Sequence, residues 1–263
     1  NQQPAKFCAL QHYIPSFVKH AAAFGYDCIW LDLEHRAFDD REVQSLLTMS
    51  HLHDIDVMVR PSTLEKSKLY RYLEDGAAGL MIPHVSDAEK AQYLANAVRF
   101  PPVGDRGIDG AGLDCGFMVD FQEQENFDYT NLANQETFLV VQIETPAAVE
   151  NIDSIASING VDALFIGIGD LGLRYKQMES PHTLDEVDVI ISNAAKKHGV
   201  HWGRPIRNEE DAKRALELGC QIFPFAADFG LIMDGLRSRA KQLGQIFGCL
   251  LYTSDAADER HGV

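Results

Sequence analysis

The sequence predicts an α/β fold, a (β/α)8 barrel, and three observations predict it. Eight short apolar or β-branched runs alternate with helical patterns, at the size and rhythm of such a barrel. Cap and turn residues punctuate the alternation. Polar residues then interrupt the runs at their C-terminal ends, where barrels of this kind build their sites.

The predicted strands are Lys6–Leu10, Cys28–Leu33, Asp56–Arg60, Gly79–Ile82, Phe138–Glu144, Ala163–Gly167, Val200–Gly203 and Gln221–Phe225. Between them, Ser62-x-x-Glu65 and Ser86-x-x-Glu89 read as capping boxes. Thr145-Pro146 reads as an N-cap followed by proline at the first helical position, and Asn208 as the cap of Glu209–Leu218. Gly25, Gly76, Gly199 and Gly219 stand where C-terminal caps belong. A doubly wound open sheet is the competing arrangement, and the count of eight favours the barrel. One connection is long, Pro101 to Gln135, and connections of that length are usually lids or subunit contacts.

Parallel strands covered on both faces are almost wholly apolar, so the exceptions carry information. In Cys28–Leu33, Ile29, Leu31 and Leu33 share the helix side, which turns Asp32 inward. In Asp56–Arg60, Val57 and Val59 point out, and Met58 and Arg60 point in. In Phe138–Glu144, Leu139, Val141 and Ile143 point out, and Gln142 and Glu144 point in. Each polar group has a plain structural explanation, a loop cap for Asp32 or an ion pair for Arg60 and Glu144. Together they form a set of interior charges that each cost several kcal/mol without compensation, which points to a ligand or metal.

His35, just past the second strand, could reach Asp32 or be held by it, a possible general-base pair. His84 also follows a strand and ranks second, and His12, His51, His53 and His198 take the structural default. Glu144 and Asp170 end consecutive strands, spaced about 4.8 Å apart, and could share one hard cation, Mg²⁺, Mn²⁺ or Co²⁺. A glycosidase pair of carboxylates would need one raised pKa, which the sequence does not assign.

Gly167-Ile168-Gly169-Asp170-Leu171-Gly172 formally matches the dinucleotide fingerprint. Its context argues otherwise. No helix is evident at the glycines, and Gly203-Arg204 stands where the ribose-binding acid belongs.

The 263 residues suit one domain and are 46% hydrophobic and 24% charged, with a net charge of −16. No basic stripe is present, so a nucleic-acid partner is not expected. No apolar run approaches the roughly 18 residues of a membrane span. Cys8, Cys28, Cys115, Cys220 and Cys249 are dispersed and read as free thiols in a reducing, cytoplasmic setting. Asn1-Gln2-Gln3-Pro4 is neither a signal peptide nor an initiator start, which leaves the N-terminal end of the natural chain open. The segment "CLLYTSDAADE", Cys249–Glu259, reads as a translated sequencing adaptor. One domain is therefore expected over residues 1–248, followed by a poorly packing, non-native tail, 249–263.

The blocks "WLDLEH", "MVRP", "YLEDGAAGLMIPHV", "FPPVGDRG", "VVQIETPAAVENID" and "GVDALFIGIGDLG" resemble the HpcH/HpaI aldolase family, the metal-dependent class II pyruvate aldolases. They run in order from Asp27 to Asp228. The resemblance implies a phosphoenolpyruvate/pyruvate-type barrel whose last helix is exchanged between subunits, in a hexamer built as a trimer of dimers. It implies aldol cleavage of a 4-hydroxy-2-oxo acid to pyruvate and an aldehyde, with a CoA-thioester lyase of the malyl- or citramalyl-CoA type as the alternative. It implies Glu144 and Asp170 as ligands of a divalent metal. It also implies Arg60 on the pyruvate carbonyl oxygen, Asp32 and His35 as acid–base dyad, and Gln142, Gly169 and Asp170 around pyruvate. Lysine chemistry is not expected, because no predicted strand ends in Lys. The chain departs from the family at Ile168, where relatives carry Pro, at His84, where the type member has a small or apolar residue, and after "DRG". Arg106, the 103–135 segment, Arg174 and Tyr175 are the candidates for shaping the aldehyde end.

Overall fold

In the computed structural model, which describes residues 3–118, 128–178 and 182–247, eight parallel strands close a barrel in chain order. They are β1 Ala5–Leu10, β2 Cys28–Asp32, β3 Asp56–Arg60, β4 Gly79–Ile82, β5 Phe138–Ile143, β6 Ala163–Ile166, β7 His201–Gly203 and β8 Ile222–Ala227. β8 returns to pair with β1, with a register shift between Phe7 and Cys8. The helices are α1 Pro15–Ala23, α2 Asp40–Leu52, α3 Lys66–Glu74, α4 Ala88–Val98, α5 Tyr129–Glu136, α6 Pro146–Glu150, α7 Ile152–Ala156, α8 Ile168–Gln177, α9 Leu184–His198, α10 Glu209–Glu217 and α11 Asp228–Phe247.

The period-two alternation of the strands builds two cores. Met58, Met81, Val140, Phe165 and Ile222 fill the barrel interior with Phe7 and Cys28. Ile29, Leu31, Val57, Val59, Leu139, Val141 and Ile143 pack outward against the helix layer. The assignment of faces read from the sequence therefore holds in β2, β3 and β5.

Local signals hold unevenly. Thr145 and Asn208 cap α6 and α10 by accepting from the backbone N–H of Ala148 and Asp211. Gly25, Gly76, Gly199 and Gly219 all have left-handed φ, between 71° and 104°. The two expected capping boxes do not form. α3 starts after Glu65 without a side-chain cap, and Asp87, one residue past Ser86, caps α4. Closed boxes occur instead at Asp39/Glu42 and Thr183/Glu186. The larger correction concerns the glycine-rich stretch. A helix, α8, does open directly there, with Gly167 as its N-cap and Asp170 in its first turn. Buried Leu171 and an Asp170–Arg174 pair one turn apart hold that helix despite its two interior glycines. The fingerprint reading still fails on its second requirement, because β7 continues into Arg204 rather than an acid.

α11 differs from the other long helices. Only Asp228 in it is buried, while Leu231, Ile232, Leu236, Leu243 and Ile246 face outward. Among the described residues no helix is long and apolar enough to cross a membrane. The expected tail, 249–263, lies outside the described residues.

Candidate functional site at the C-terminal mouth of the barrel

Asp32 ends β2 and Arg60 ends β3, and the strand register sets them side by side. Both side chains point inward and are buried, at 1% and 7% exposure. Arg60 grips Asp32 with two bonds, Nε to Oδ1 at 3.0 Å and Nη2 to Oδ2 at 2.8 Å, the bidentate geometry that makes such pairs strong. Burial acts to raise the Asp32 carboxyl. The Arg60 bonds and charge, with the backbone N–H groups of His35 and Glu34, outweigh it and hold the group below its ordinary range.

The remaining nitrogen of the fork, Arg60 Nη1, lies 3.1 Å from Glu34 Oε2 and 3.4 Å from Gln142 Oε1. The guanidinium carbon sits 4.7 Å from the centre of the Trp30 ring, within cation–π range. One edge of the arginine is thus fixed by a carboxylate and one face by an indole, leaving Nη1 as its adaptable corner.

Glu144 follows β5 and is 2% exposed. Its Oε1 accepts from the His84 main-chain N–H at 2.7 Å, and His84 Nδ1 stands 2.9 Å from the same oxygen. Burial pushes its carboxyl above the ordinary range, and the Glu34 and Asp170 charges add to that against the pull of His84. Gly167 makes room for it, since a Cβ there would stand 2.5 Å from Glu144 Oε2, 2.7 Å from its Cβ and 2.9 Å from Gln142 Nε2. Asp170 is part-exposed and meets Arg174 Nη1 at 3.1 Å, and that nitrogen also donates to the Glu144 carbonyl at 3.1 Å.

The mouth therefore gathers Asp32, Arg60, Gln142, Glu144 and Asp170. His35 is brought close only in part. Its main-chain N–H reaches Asp32 Oδ1 at 3.4 Å, but its ring stands 3.6 Å from Glu34 Oε2 and is more than half exposed. Asp32 has given both oxygens to Arg60. Gly169 lies in the first turn of α8, with open space where its Cβ would be. Arg106 is committed elsewhere, paired with Asp114 and Tyr129 and stacked on Phe100 in a separate small core of the long connection. Tyr175 packs against the helix-side core.

The sequence reading missed Glu34, which touches Arg60, His35 and His84 at once. It lies two residues after Asp32, so the same alternation carried one step past the strand points to it. Another carboxylate–histidine pair, buried Asp228 Oδ2 with His12 Nδ1 at 2.9 Å, joins the ends of β8 and β1. His12 had been given the structural default.

Among the described residues no three His, Cys, Asp or Glu side chains converge as a ready-made metal cage. The donor chemistry nonetheless fits a hard divalent cation. Glu144 offers a buried carboxylate raised above its ordinary range, near the charges of Asp170 and Glu34, and two protein oxygens would suit an ion that keeps water or substrate in its other positions.

A model of the HpcH/HpaI aldolase/citrate lyase family matches residues 7–234. A hydroxypyruvate/pyruvate aldolase from Pseudomonas aeruginosa is 32% identical over 229 residues, covering 86% of this chain and 83% of that protein. A 4-hydroxy-2-oxo-heptane-1,7-dioate aldolase from Salmonella paratyphi A is 32% identical over 226 residues, covering 85% and 84%. The crystal structure of an HpcH/HpaI aldolase from Desulfitobacterium hafniense matches with a TM-score of 0.83 at 29% identity, covering 92% of this chain and 93% of its own. A shared barrel, shared sequence over most of its length and aldolases among its relatives make one conclusion: the chain belongs to the HpcH/HpaI aldolase/citrate lyase family and is a carbon–carbon lyase.

Proposed function

We propose that the barrel mouth cleaves a 4-hydroxy-2-oxo acid reversibly into pyruvate and an aldehyde. One observation carries the reading. A buried arginine, fixed by Asp32, keeps its Nη1 corner between Gln142 and Glu34, on the side of the mouth that also holds Glu144. A fixed cation of that kind is suited to an oxygen that gains negative charge as a bond breaks.

Glu144 and Asp170 would hold a divalent cation, Mg²⁺, Mn²⁺ or Co²⁺. When bound, it supplies Lewis-acid stabilisation to the 2-oxo acid. The chain's own groups do the rest. Arg60 binds the C2 oxygen, with Gln142 and the Gly169–Asp170 turn around the small acid. His35 takes the C4 hydroxyl proton as C3–C4 breaks. The electron pair of that bond passes to C3 and the C2 oxygen as the enolate of pyruvate, and C4 leaves as the aldehyde carbonyl. Protonation at C3 completes pyruvate. The observed contacts support Glu34 rather than Asp32 as the carboxylate that steadies the His35 ring. Beside it opens a cavity of about 610 Å³ lined by Glu34, His35, Arg36, Phe38, Ser62 and Thr63, which suits a hydroxylated or charged aldehyde end.

The outward apolar face of α11 supports exchange of this helix with a second copy, as in the oligomer the resemblance implies. Light scattering at micromolar concentration should then give a mass well above that of one chain.

The activity is checked by following pyruvate release from a panel of 4-hydroxy-2-oxo acids, with malyl-CoA as the contrasting substrate. Release should stop with EDTA and return with Mn²⁺. Cleavage that resists EDTA and leaves a borohydride-trapped adduct on a lysine would sink the reading, as would acetyl-CoA as the sole product.

A further inference from the structure

His84 has an uncommon conformation and an uncommon set of contacts. Its φ is 55°, in the left-handed region that a residue bearing a Cβ rarely adopts. Its neighbours fix it there. The main-chain N–H and ring Nδ1 both meet Glu144 Oε1, at 2.7 and 2.9 Å. Lys90 Nζ donates to its carbonyl at 2.8 Å. Ring Nε2 stands 3.8 Å from Glu34 Oε1.

The main-chain N–H and the ring Nδ1 of one residue thus converge on a single oxygen of Glu144. The other, Oε2, lies on the Gly167 side, toward the turn that carries Asp170. We propose that His84 sets the denticity of Glu144, holding Oε1 so that Oε2 alone is presented to the cation. This rests on the metal reading of Glu144 and Asp170 given above, and it makes His84 a positioning residue.

The consequence is selectivity between cations. Mg²⁺ and Mn²⁺ take single carboxylate oxygens in compact octahedral sites, whereas Ca²⁺ is larger and accepts bidentate carboxylates. A ring that occupies Oε1 therefore favours the small ions. Once the ring is removed, only the main-chain N–H holds Oε1, Glu144 is freer to offer both oxygens, and the preference moves toward Ca²⁺.

The test is calorimetric titration of the full-length chain with Mn²⁺ and, separately, Ca²⁺, without substrate. His84→Gly removes the ring, keeps the main-chain N–H and accepts the left-handed φ, so it is the variant least disturbing to the fold. Mn²⁺ affinity should fall at least about 10-fold, the usual scale for partners that orient a ligand, while Ca²⁺ affinity holds or rises. His84→Asn carries a short amide donor and tolerates the same φ, and should restore the wild-type ratio. An unchanged Mn²⁺/Ca²⁺ ratio in His84→Gly, whether both affinities hold or both fall together, overturns the role of His84. Glu144→Gln separates the two levels. If it leaves Mn²⁺ binding intact, the metal reading fails and this proposal with it. If it abolishes Mn²⁺ binding while His84→Gly keeps the ratio, only the proposal fails.

Discussion

Two strands on opposite sides of the barrel, β3 and β7, run into the same dipeptide, Arg60-Pro61 and Arg204-Pro205, and the two arginines face different ways. Arg60 follows outward-packing Val59 and so points inside, where its Nη1 corner meets Gln142 and Glu34. In β7 it is Trp202 that packs on the helix side, Gly203 that faces the interior, and Arg204 that turns outward. There Arg204 is closed in by two carboxylates, Asp211 at 3.0 and 2.5 Å and Asp188 at 3.1 Å, the first on α10 and the second on α9. Both side chains are buried and both are paired. The difference lies in what remains. Arg60 shares its Nη1 with Glu34 and Gln142 at the mouth, where Glu34 also meets His35 and His84, whereas Arg204 is closed between Asp211 and Asp188 on the helix side. A buried Arg–Asp pair at a strand end is therefore not in itself a site. The parity of the strand decides.

That comparison can be broken at each point. The largest effect should come from Arg60→Lys, which keeps the charge and loses the fork. Its kcat/KM should fall about 100-fold or more with the fold retained by circular dichroism. Near-normal turnover would remove Arg60 from the reaction. Arg204→Met should do the reverse. Stripping one partner from a buried ionic cluster costs about 3–5 kcal/mol, read as a lower denaturation midpoint, while kcat per folded molecule stays within about twofold. A parallel loss of kcat would show that the two arginines are not so separate. Gly203→Ala is milder. Its new Cβ would collide with Ile222 on β8, and overpacking of this kind costs about 1–3 kcal/mol.

The smallest effect should appear only in acid. The Arg204 hydrogen bonds, with the Arg207 backbone N–H, hold the Asp211 carboxyl down at about 2. A folded-state pKa below the unfolded value gives stability that is whole above pH ~4 and fades as pH falls toward 2. Wild type should therefore lose stability more steeply than Asp211→Asn between those limits. Parallel curves would mean that the pair is not felt.

The same parity explains what the sequence made legible. In "DVMVR" two outward valines bracket Met58 and fix Arg60 as inward, and five residues suffice to set the phase. β7 is only three residues long, too short for its alternation to announce where Arg204 goes. α8 was hidden because Gly169 and Gly172 argue against a helix, and the Asp170–Arg174 pair and buried Leu171 that outweigh them are tertiary and one-turn effects. The expected caps failed for different reasons: α3 begins only at Lys66, three residues beyond the start expected from Ser62, and Asp87 takes the N-cap of α4 next to Ser86. The Asp32–His35 relation was half legible. Spacing brought them together, but only geometry shows that Arg60 has taken the carboxylate and left the imidazole to Glu34.

Each arginine also has a tryptophan near it, Trp30 on the neighbouring strand β2 for Arg60 and Trp202 within β7 for Arg204, and the chain has only these two. Trp30 lies beneath Arg60 and edge-on to Phe165, with ring centres 5.5 Å apart, at the mouth. Trp202 is sealed in the helix-side core two residues before Arg204. The protein thus carries two intrinsic fluorophores in two different environments. Trp202→Phe leaves an emission that responds when a small acid or a cation enters the mouth. Trp30→Phe leaves one that stays silent to ligand and changes only when the barrel opens.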